Sequence, residues 1–333
     1  MNKIIAFAVL TIGLASCGVE KTASKKFGVS LYKFDDVFIS SVGKAIQARK
    51  TETGSSATVN LSDAQGQQAT QNDSVDTYIA QGYNALGINM VDRTAASVII
   101  EKAKAADIPI VFFNREPVTA DMNSWDKLYY VGARAEESGR IQGEIAAAYF
   151  KNDPKVDKNG DGILQYVIIE GEPGHQDAIL RTEHSIKALQ DAGVKVQKLA
   201  SDTGMWQRVN GQEKMAAWLT AYGDQIELVL ANNDDMALGA IEALRAAGYF
   251  TGEKFIPVIG VDASAPALDS IKNNLLYATV LNNARIQGYA VFDLMDALVS
   301  DKDVNSLGYE ITDGKYIWVP YVAVTRDNYK EFQ

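Results

Sequence analysis

Phe27-Gly28-Val29-Ser30-Leu31-Tyr32 is a short β-prone run, and soon after it the chain reaches Asp36, at the threshold of a helical segment. The same unit, an apolar strand that ends on or near a hydrogen-bonding residue, recurs along the chain. Further strand candidates cover 57–63, 85–90, 108–114, 128–132, 164–171, 194–201, 226–233, 256–262 and 277–282. Between them, 74–80, 95–106, 136–150, 178–192, 212–222, 235–247 and 284–299 carry helical periodicity. Strands alternating with helices predict parallel sheets covered on both faces. Ten strands are many for one open sheet, so the expected fold class is α/β with two doubly wound parallel-sheet domains of about five strands each. There is no internal repeat, no low-complexity tract and no Pro/Gly-rich linker.

The polar residues at the strand ends are more informative than the strands. Asp36 and Asn89 follow the first and third strands, and Asn233, Asp262 and Asn282 end later ones. Open α/β sheets bind ligands at this carboxyl edge. The alternative for each residue is the N-cap of the following helix. Between a strand and a helix lies Glu172-Pro173-Gly174-His175-Gln176-Asp177-Ala178-Ile179-Leu180-Arg181. Pro173 and Gly174 set a turn, and Asp177 and Arg181 share a helical face. The segment offers an imidazole, a carboxylate and a guanidinium fork, a mixture suited to a ring of hydroxyls, each both donor and acceptor. An ordinary surface ion pair between Asp177 and Arg181 is the alternative.

With 333 residues and 47% hydrophobic content, the chain can build a core in each of two domains. Its net charge of -10 repels phosphates and argues against a nucleic-acid partner. Lys3 followed by an apolar run from Ile4 to Leu14, too short to span a bilayer, reads as an export signal occupying residues 1–16. Leu14-Ala15-Ser16-Cys17-Gly18 resembles a bacterial lipobox, which makes Cys17 a lipidation site and 17–26 a tether. The expected location is therefore lipid-anchored to a bacterial membrane, facing the periplasm or the exterior. Cys17 is the only cysteine, so no intramolecular disulfide can form.

Asp157-Lys158-Asn159-Gly160-Asp161-Gly162-Ile163-Leu164-Gln165 follows the start of an EF-hand calcium loop. Side-chain oxygens recur at positions one, three, five and nine, with a backbone carbonyl expected from Ile163. Position twelve, however, is Ile168 and not a bidentate glutamate. A plain Asp/Asn/Gly turn is the alternative.

Together with Gly28-Val29-Ser30-Leu31-Tyr32-Lys33-Phe34-Asp35-Asp36, the 172–181 segment, Ile88-Asn89-Met90-Val91-Asp92, Val111-Phe112-Phe113-Asn114-Arg115-Glu116-Pro117, Ala231-Asn232-Asn233-Asp234, Gly260-Val261-Asp262-Ala263 and Thr279-Val280-Leu281-Asn282 resemble the bacterial glucose/galactose-binding proteins of the periplasmic binding protein class. The resemblance runs over nearly everything after residue 26. It implies a type I fold with a three-segment hinge, crossing near Asn114, Asn282 and Trp318 to Pro320. One lobe would comprise 27–113 plus 283–318, and the other 114–282 plus 319–333.

By position, the polar sugar contacts fall on Asp36, Asn89, His175, Asp177, Arg181, Asn233, Asp262 and Asn282, and the stacking rings on Phe38 and Trp206. The missing calcium carboxylate falls on Glu227, giving a structural Ca2+ held by Asp157, Asn159, Asp161, Ile163, Gln165 and Glu227. The implied function is binding of D-glucose or D-galactose by a monomer that is not an enzyme, with delivery to the membrane permease of a sugar ABC transporter and a chemoreceptor or sensor as a further partner. An exported glycosidase using acids such as Asp36, Asp177 and Asp262 is the alternative, although no catalytic motif is evident. A sugar-responsive repressor would need a helix-turn-helix module where the export signal stands.

Overall fold

The computed structural model describes residues 25–252 and 254–333. The leader, Cys17 and most of the tether lie outside the described residues. The last tether residues do not fit that reading. Lys26 opens the first strand, and Lys25 Nζ donates to Asp296 at 2.6 Å, so both belong to the folded domain.

The first lobe is built from β1 (Lys26–Leu31), α1 (Val37–Glu52), β2 (Thr58–Asp63), α2 (Gln68–Ala80), β3 (Ala85–Ile88), α3 (Ala96–Ala105), β4 (Ile110–Phe113), the single turn α4 (Thr119–Met122) and β5 (Leu128–Gly132). The second comprises α5 (Ala135–Asn152), β6 (Ile163–Glu170), α6 (Gln176–Asp191), β7 (Lys195–Thr203), α7 (Arg208–Tyr222), β8 (Leu228–Ala231), α8 (Asp234–Ala246), β9 (Val258–Ile259), α9 (Ala265–Lys272) and β10 (Thr279–Leu281). The chain then returns through α10 (Ala284–Val299) and β11 (Tyr316–Trp318) to the first lobe and ends with β12 (Val322–Val324) in the second.

All pairings in the six-stranded sheet β2-β1-β3-β4-β5-β11 are parallel. The second sheet repeats the pattern as β7-β6-β8-β9, extended by bridges from Ile259 to Ala278 and Asp262 to Leu281 to the antiparallel pair β10-β12. Strand order reverses between β1 and β3, and again between β6 and β8, which opens a crevice at the carboxyl ends of each sheet.

Both faces of each sheet are covered, so the central strands are apolar throughout, as in Ile110–Phe113 and Leu228–Ala231, where every residue is buried. In the first lobe Phe27, Val29, Val111 and Phe113 pack on one side with Ile39, Val42 and Ile46 of α1 and Val291, Phe292 and Met295 of α10. Leu86, Ile88, Ile110 and Phe112 pack on the other with Val75 and Tyr78 of α2 and Ile99 and Ile100 of α3. Among the described residues no helix is long and apolar enough to cross a membrane.

The expected ten strands are present, but two more, β11 and β12, are only three residues each. So short a run carries no readable periodicity. The domain boundary at 114 is also corrected. Residues 128–132 pair with β4, Ile110 opposite Leu128 and Phe113 opposite Val131, so β5 belongs to the first lobe. The chain crosses after Gly132, because α5 packs against α6 and the second sheet. The crossings are therefore 133–134, 282–283 and 319–321.

In the second lobe α7 and α8 approach closely enough that a Cβ at Gly239 would stand 2.0 Å from the Arg208 carbonyl oxygen. Backbone cannot yield as a flexible side chain can. Gly239→Ala is expected to destabilise the protein by about 1–3 kcal/mol through overpacking, checked by urea unfolding. An unchanged midpoint would contradict this packing.

Candidate functional site

A cavity of about 340 Å3 lies between the carboxyl ends of the two sheets. Tyr32, Asp36, Phe38, Ile39, Asn114 and Arg115 of the first lobe face His175, Asp177, Arg181, Trp206, Asn233 and Asp262 of the second. Eight of the ten expected sugar-site residues wall this one space. Asn89 and Asn282 do not. Asn89 is fully buried, accepting from the Tyr32 N–H at 3.2 Å and donating to the Phe113 carbonyl and Asn114 Oδ1, both at 3.1 Å. Asn282 accepts from Gln287 Nε2 at 2.6 Å and lines an adjoining opening with Phe38, Asn233 and Asp262.

The cap reading and the ligand-edge reading meet in the same side chains. Asp36, His175 and Asn233 are the N-caps of α1, α6 and α8, accepting from the N–H groups of Ile39 (2.9 Å), Asp177 (3.1 Å) and Met236 (3.0 Å). Each cap leaves further hydrogen-bonding capacity. Asp36 Oδ2 accepts from the Tyr32 hydroxyl at 2.6 Å and has lone pairs to spare. Because His175 Nδ1 accepts, a neutral ring carries its proton on Nε2 and is a donor. Burial, with Arg115 and Arg181 nearby, holds the His175 pKa well below the ordinary histidine value, so this tautomer persists at neutral pH.

Burial pushes the carboxyls of Asp36, Asp177 and Asp262 upward, Asp262 furthest. Arg181 and Arg115 act against this at Asp177, and Arg181 does so at Asp262. Donors brought to these oxygens would favour the ionised form. Arg181 joins three elements. Nη1 donates to the Asn232 carbonyl at 2.7 Å, and Nη2 to Tyr321 Oη at 3.1 Å and Asp177 Oδ2 at 3.2 Å. Its buried Nε has no partner.

Trp206 and Met205 both adopt left-handed backbone, with φ of 62° and 51°. Asn114 (59°) and Asp262 (125°) also have positive φ, so costly conformations gather around the cavity, as they do at functional sites. The Trp206 ring lies edge-on to His175, centroids 5.1 Å apart. A Cβ at Gly171 would come within 2.1 Å of the ring, so only glycine lets it sit there. Phe38 packs against the first-lobe core while walling the cavity.

Sequence reasoning missed Tyr32, Ile39, Asn114 and Arg115 as wall residues. Ile39 lies in the first turn of α1, and the other three follow β1 or β4 at the same carboxyl edge, where the rule that found Asp36 and Asn89 extends to them.

The 157–165 loop lies between α5 and β6 and folds onto its own backbone. Asp157 Oδ1 accepts from the N–H groups of Gly160 (2.7 Å) and Asp161 (3.1 Å), and Oδ2 from Gly162 (2.8 Å). Asp161 Oδ1 accepts from the Ile163 N–H at 2.8 Å, and Asp161 Oδ2 from Asn159 Nδ2 and Gln165 Nε2, both at 2.9 Å. Glu227, buried just before β8, reaches the loop from a distant part of the chain, accepting from the N–H groups of Lys158 (2.6 Å) and Gln165 (2.9 Å). Among the described residues no group of three or more His, Cys, Asp or Glu side chains is gathered as a metal site. Here, though, amide and carbonyl oxygens make up half the expected set, and Gln165 Oε1 is buried without a partner.

A family model described as "Periplasmic binding protein domain" matches residues 27–303. The chain is 39% identical, over 99% of its length and 98% of the relative's, to the D-galactose/methyl-galactoside binding periplasmic protein MglB of Haemophilus influenzae. It is 32% identical to the ribose import binding protein RbsB of Bacillus subtilis, covering 91% of this chain and 95% of that one. Among solved structures, an ABC transporter solute binding protein from Bacillus halodurans with bound myo-inositol superposes with a TM-score of 0.76 at 28% identity, covering 93% of this chain and 97% of that one.

Proposed function

The chain belongs to the periplasmic binding protein family, and from that premise we propose that it binds one hexose, D-glucose or D-galactose, between its lobes and delivers it to the permease of a sugar ABC transporter. Family and relatives alike are exported binding proteins and not enzymes, so the glycosidase alternative falls away. The observation that carries the hexose reading is the composition of one cavity. Two rings, Phe38 and Trp206, enter from opposite lobes, among carboxylates, two amides, an imidazole and guanidiniums. Pyranose faces present polarised C–H groups suited to aromatic surfaces, while their hydroxyls need mixed donors and acceptors. The galactose-binding relative adds support.

Micromolar affinity corresponds to about -8 kcal/mol, or about 0.7 kcal/mol for each of a hexose's roughly twelve heavy atoms, within reach of such a site. Lobe closure around the ligand is the motion for which periplasmic binding proteins are a standard example. Because Trp206 walls the cavity, D-glucose or D-galactose at micromolar concentration is expected to change tryptophan fluorescence. A flat titration with both sugars would sink the proposal.

The 157–165 loop is proposed to hold a structural Ca2+ through Asp157, Asn159, Asp161, the Ile163 carbonyl, Gln165 and Glu227. The unpartnered Gln165 Oε1 and the convergence of Glu227 on the loop fit an oxygen-loving ion. At a hundredfold excess over Kd, a bound ion stabilises by about 2.7 kcal/mol. Chelation is expected to lower Tm by about 5 °C while sugar affinity persists. Identical melting with and without chelator would contradict the site.

Cys17 is proposed as the lipid anchor, on the lipobox-like Leu14–Gly18 stretch. Cys17→Ser should move the protein from the membrane fraction to the soluble one, and an unchanged distribution would count against the anchor.

A further inference from the structure

Asp234 opens α8 one residue beyond Asn233 and is only 1% exposed, yet it is not among the residues that wall the sugar cavity. Both of its carboxylate oxygens serve the turn beside it. Oδ2 accepts from the Ser264 N–H at 2.7 Å, and Oδ1 from the fully buried Thr279 hydroxyl of β10 at 2.6 Å. The Asp234 N–H donates to the Val261 carbonyl at 2.7 Å, and Thr279 Oγ1 in turn accepts from the Ala263 N–H at 3.3 Å. A Cβ at Gly260 would run into Asp234 Oδ1, so glycine there admits the carboxylate. These bonds bracket Asp262 and Ala263, whose φ angles are both positive, 125° and 55°.

Such backbone is costly for a residue with a Cβ and persists only where its surroundings enforce it. From this we infer that Asp234 is a positioning residue for the site: it holds 261–264 in the strained turn that presents Asp262 to the cavity, without itself touching the ligand. A carboxylate suits the task because it accepts at both ends. The inference rests on the hexose reading above only in that the ligand must meet Asp262.

The brace also carries charge. Burial raises the Asp234 carboxyl to about 7, against the Thr279 and Ser264 bonds that lower it, and Asp235 adds to the rise. Burial pushes Asp262 well up, opposed by Arg181 and Asn282 and assisted by Asp234 and Asp36. Of the other charges around Asp234, Arg208 of α7 pairs with Asp235 at 2.8 Å, and Arg285 of α10 and Glu331 border the adjoining opening. A sugar hydroxyl donating to Asp262 favours its ionised form, so affinity is lost as pH falls through the Asp262 value. Removing the Asp234 charge lowers that value and moves the loss to lower pH.

The test uses the full mature chain and two variants. Asp234→Ala removes the brace. Asp234→Asn keeps an oxygen for the Ser264 N–H and can donate to the Thr279 hydroxyl, so it removes the charge and spares most of the geometry. Without ligand, amide hydrogen exchange at Ala263 and Ser264 is expected to quicken more than tenfold in Asp234→Ala and far less in Asp234→Asn. Calorimetry at pH 8 with D-galactose and D-glucose is expected to show Asp234→Ala losing more than tenfold in affinity, and Asp234→Asn staying within about threefold of wild type. The Asp234→Ala penalty should vanish in an Asp262→Asn background, or for a monodeoxy hexose lacking the hydroxyl that Asp262 meets. On acidification, Asp234→Asn should lose affinity about one pH unit lower than wild type.

Unchanged exchange at 263–264 in Asp234→Ala would overturn the brace. A penalty of equal size with Asp262 present or replaced would mean that Asp234 acts on stability alone, and an unmoved acid limb in Asp234→Asn would overturn the part played by its charge. If Asp234→Ala fails to fold, Thr279→Val, which removes one link and no charge, takes its place in both the exchange and the affinity comparison. If the wild-type protein binds neither hexose, the hexose reading fails by itself, and the ligand-free exchange still decides the brace.

Discussion

Asp36→Asn is expected to weaken hexose binding about a hundredfold while leaving the melting temperature nearly unchanged. Asp36 has two tasks in the structure, and the substitution separates them. Oδ1 caps α1 by accepting from the Ile39 N–H, a role asparagine fills equally well. Oδ2 faces the Tyr32 hydroxyl and the cavity, and here the amide presents donors where the carboxylate accepts. A sugar hydroxyl that donates to Asp36 would lose a charge-assisted bond, and both Tyr32 and the ligand would meet an N–H group. Losses of this kind are about 2–3 kcal/mol, which is the predicted factor. Asp36→Ala would be a poorer test, because losing the cap costs about 1 kcal/mol of stability as well. Calorimetric titration alongside thermal melting checks the prediction. Wild-type affinity in Asp36→Asn would show that the residue is only a cap.

Acidity should act on the same oxygens. Burial raises the carboxyls of Asp36, Asp177 and Asp262, so they protonate at a higher pH than ordinary aspartates. Ligand donors favour the ionised forms, so binding releases protons, and affinity falls as pH drops through the free-protein values.

Arg181→Ala should have the larger effect on the fold. The guanidinium ties α6 to the end of β8 through the Asn232 carbonyl and to the third crossing segment through Tyr321, and it sits beside Asp177. It also offsets the buried charge of Asp262. Removing it strands carboxylates in a low-dielectric space, a change that costs about 3–5 kcal/mol when a buried pair loses one partner. The expected result is a Tm lower by about 6 °C or more and no measurable sugar binding. Arg181→Ala combined with Asp177→Ala removes the stranded charge at that position and should recover part of the Tm without recovering binding. A single variant that melts like the wild type would mean the pair contributes little, as exposed ion pairs do.

The strands and the cleft were legible because buried parallel strands write themselves as continuous apolar runs, and ligand-edge residues follow those runs directly. Asp36 and Asn233 were visible for that reason, and the rivalry between cap and ligand edge dissolved because each caps a helix while walling the cavity. Asn89 was legible as a strand-end residue but not as one engaged by its own lobe, since only the fold brings the Tyr32 N–H, the Phe113 carbonyl and Asn114 to its side chain. Arg115 was hidden by its charge, which reads as surface until the Tyr32 ring and the Val91 carbonyl are seen to enclose it. The boundary at 114 failed because Leu128–Gly132 is as compatible with one sheet as with the other. Its place is set by pairing with β4 and β11, whose register no local pattern encodes.

Isothermal titration of the mature chain with D-glucose, D-galactose, D-ribose and myo-inositol tests the central claim most directly. A single site with micromolar or tighter affinity for at least one of the two hexoses, weaker binding of the other two ligands, and loss of the heat in Asp36→Asn is the predicted result. No heat from either hexose, or hexose binding that Asp36→Asn leaves intact, would contradict it.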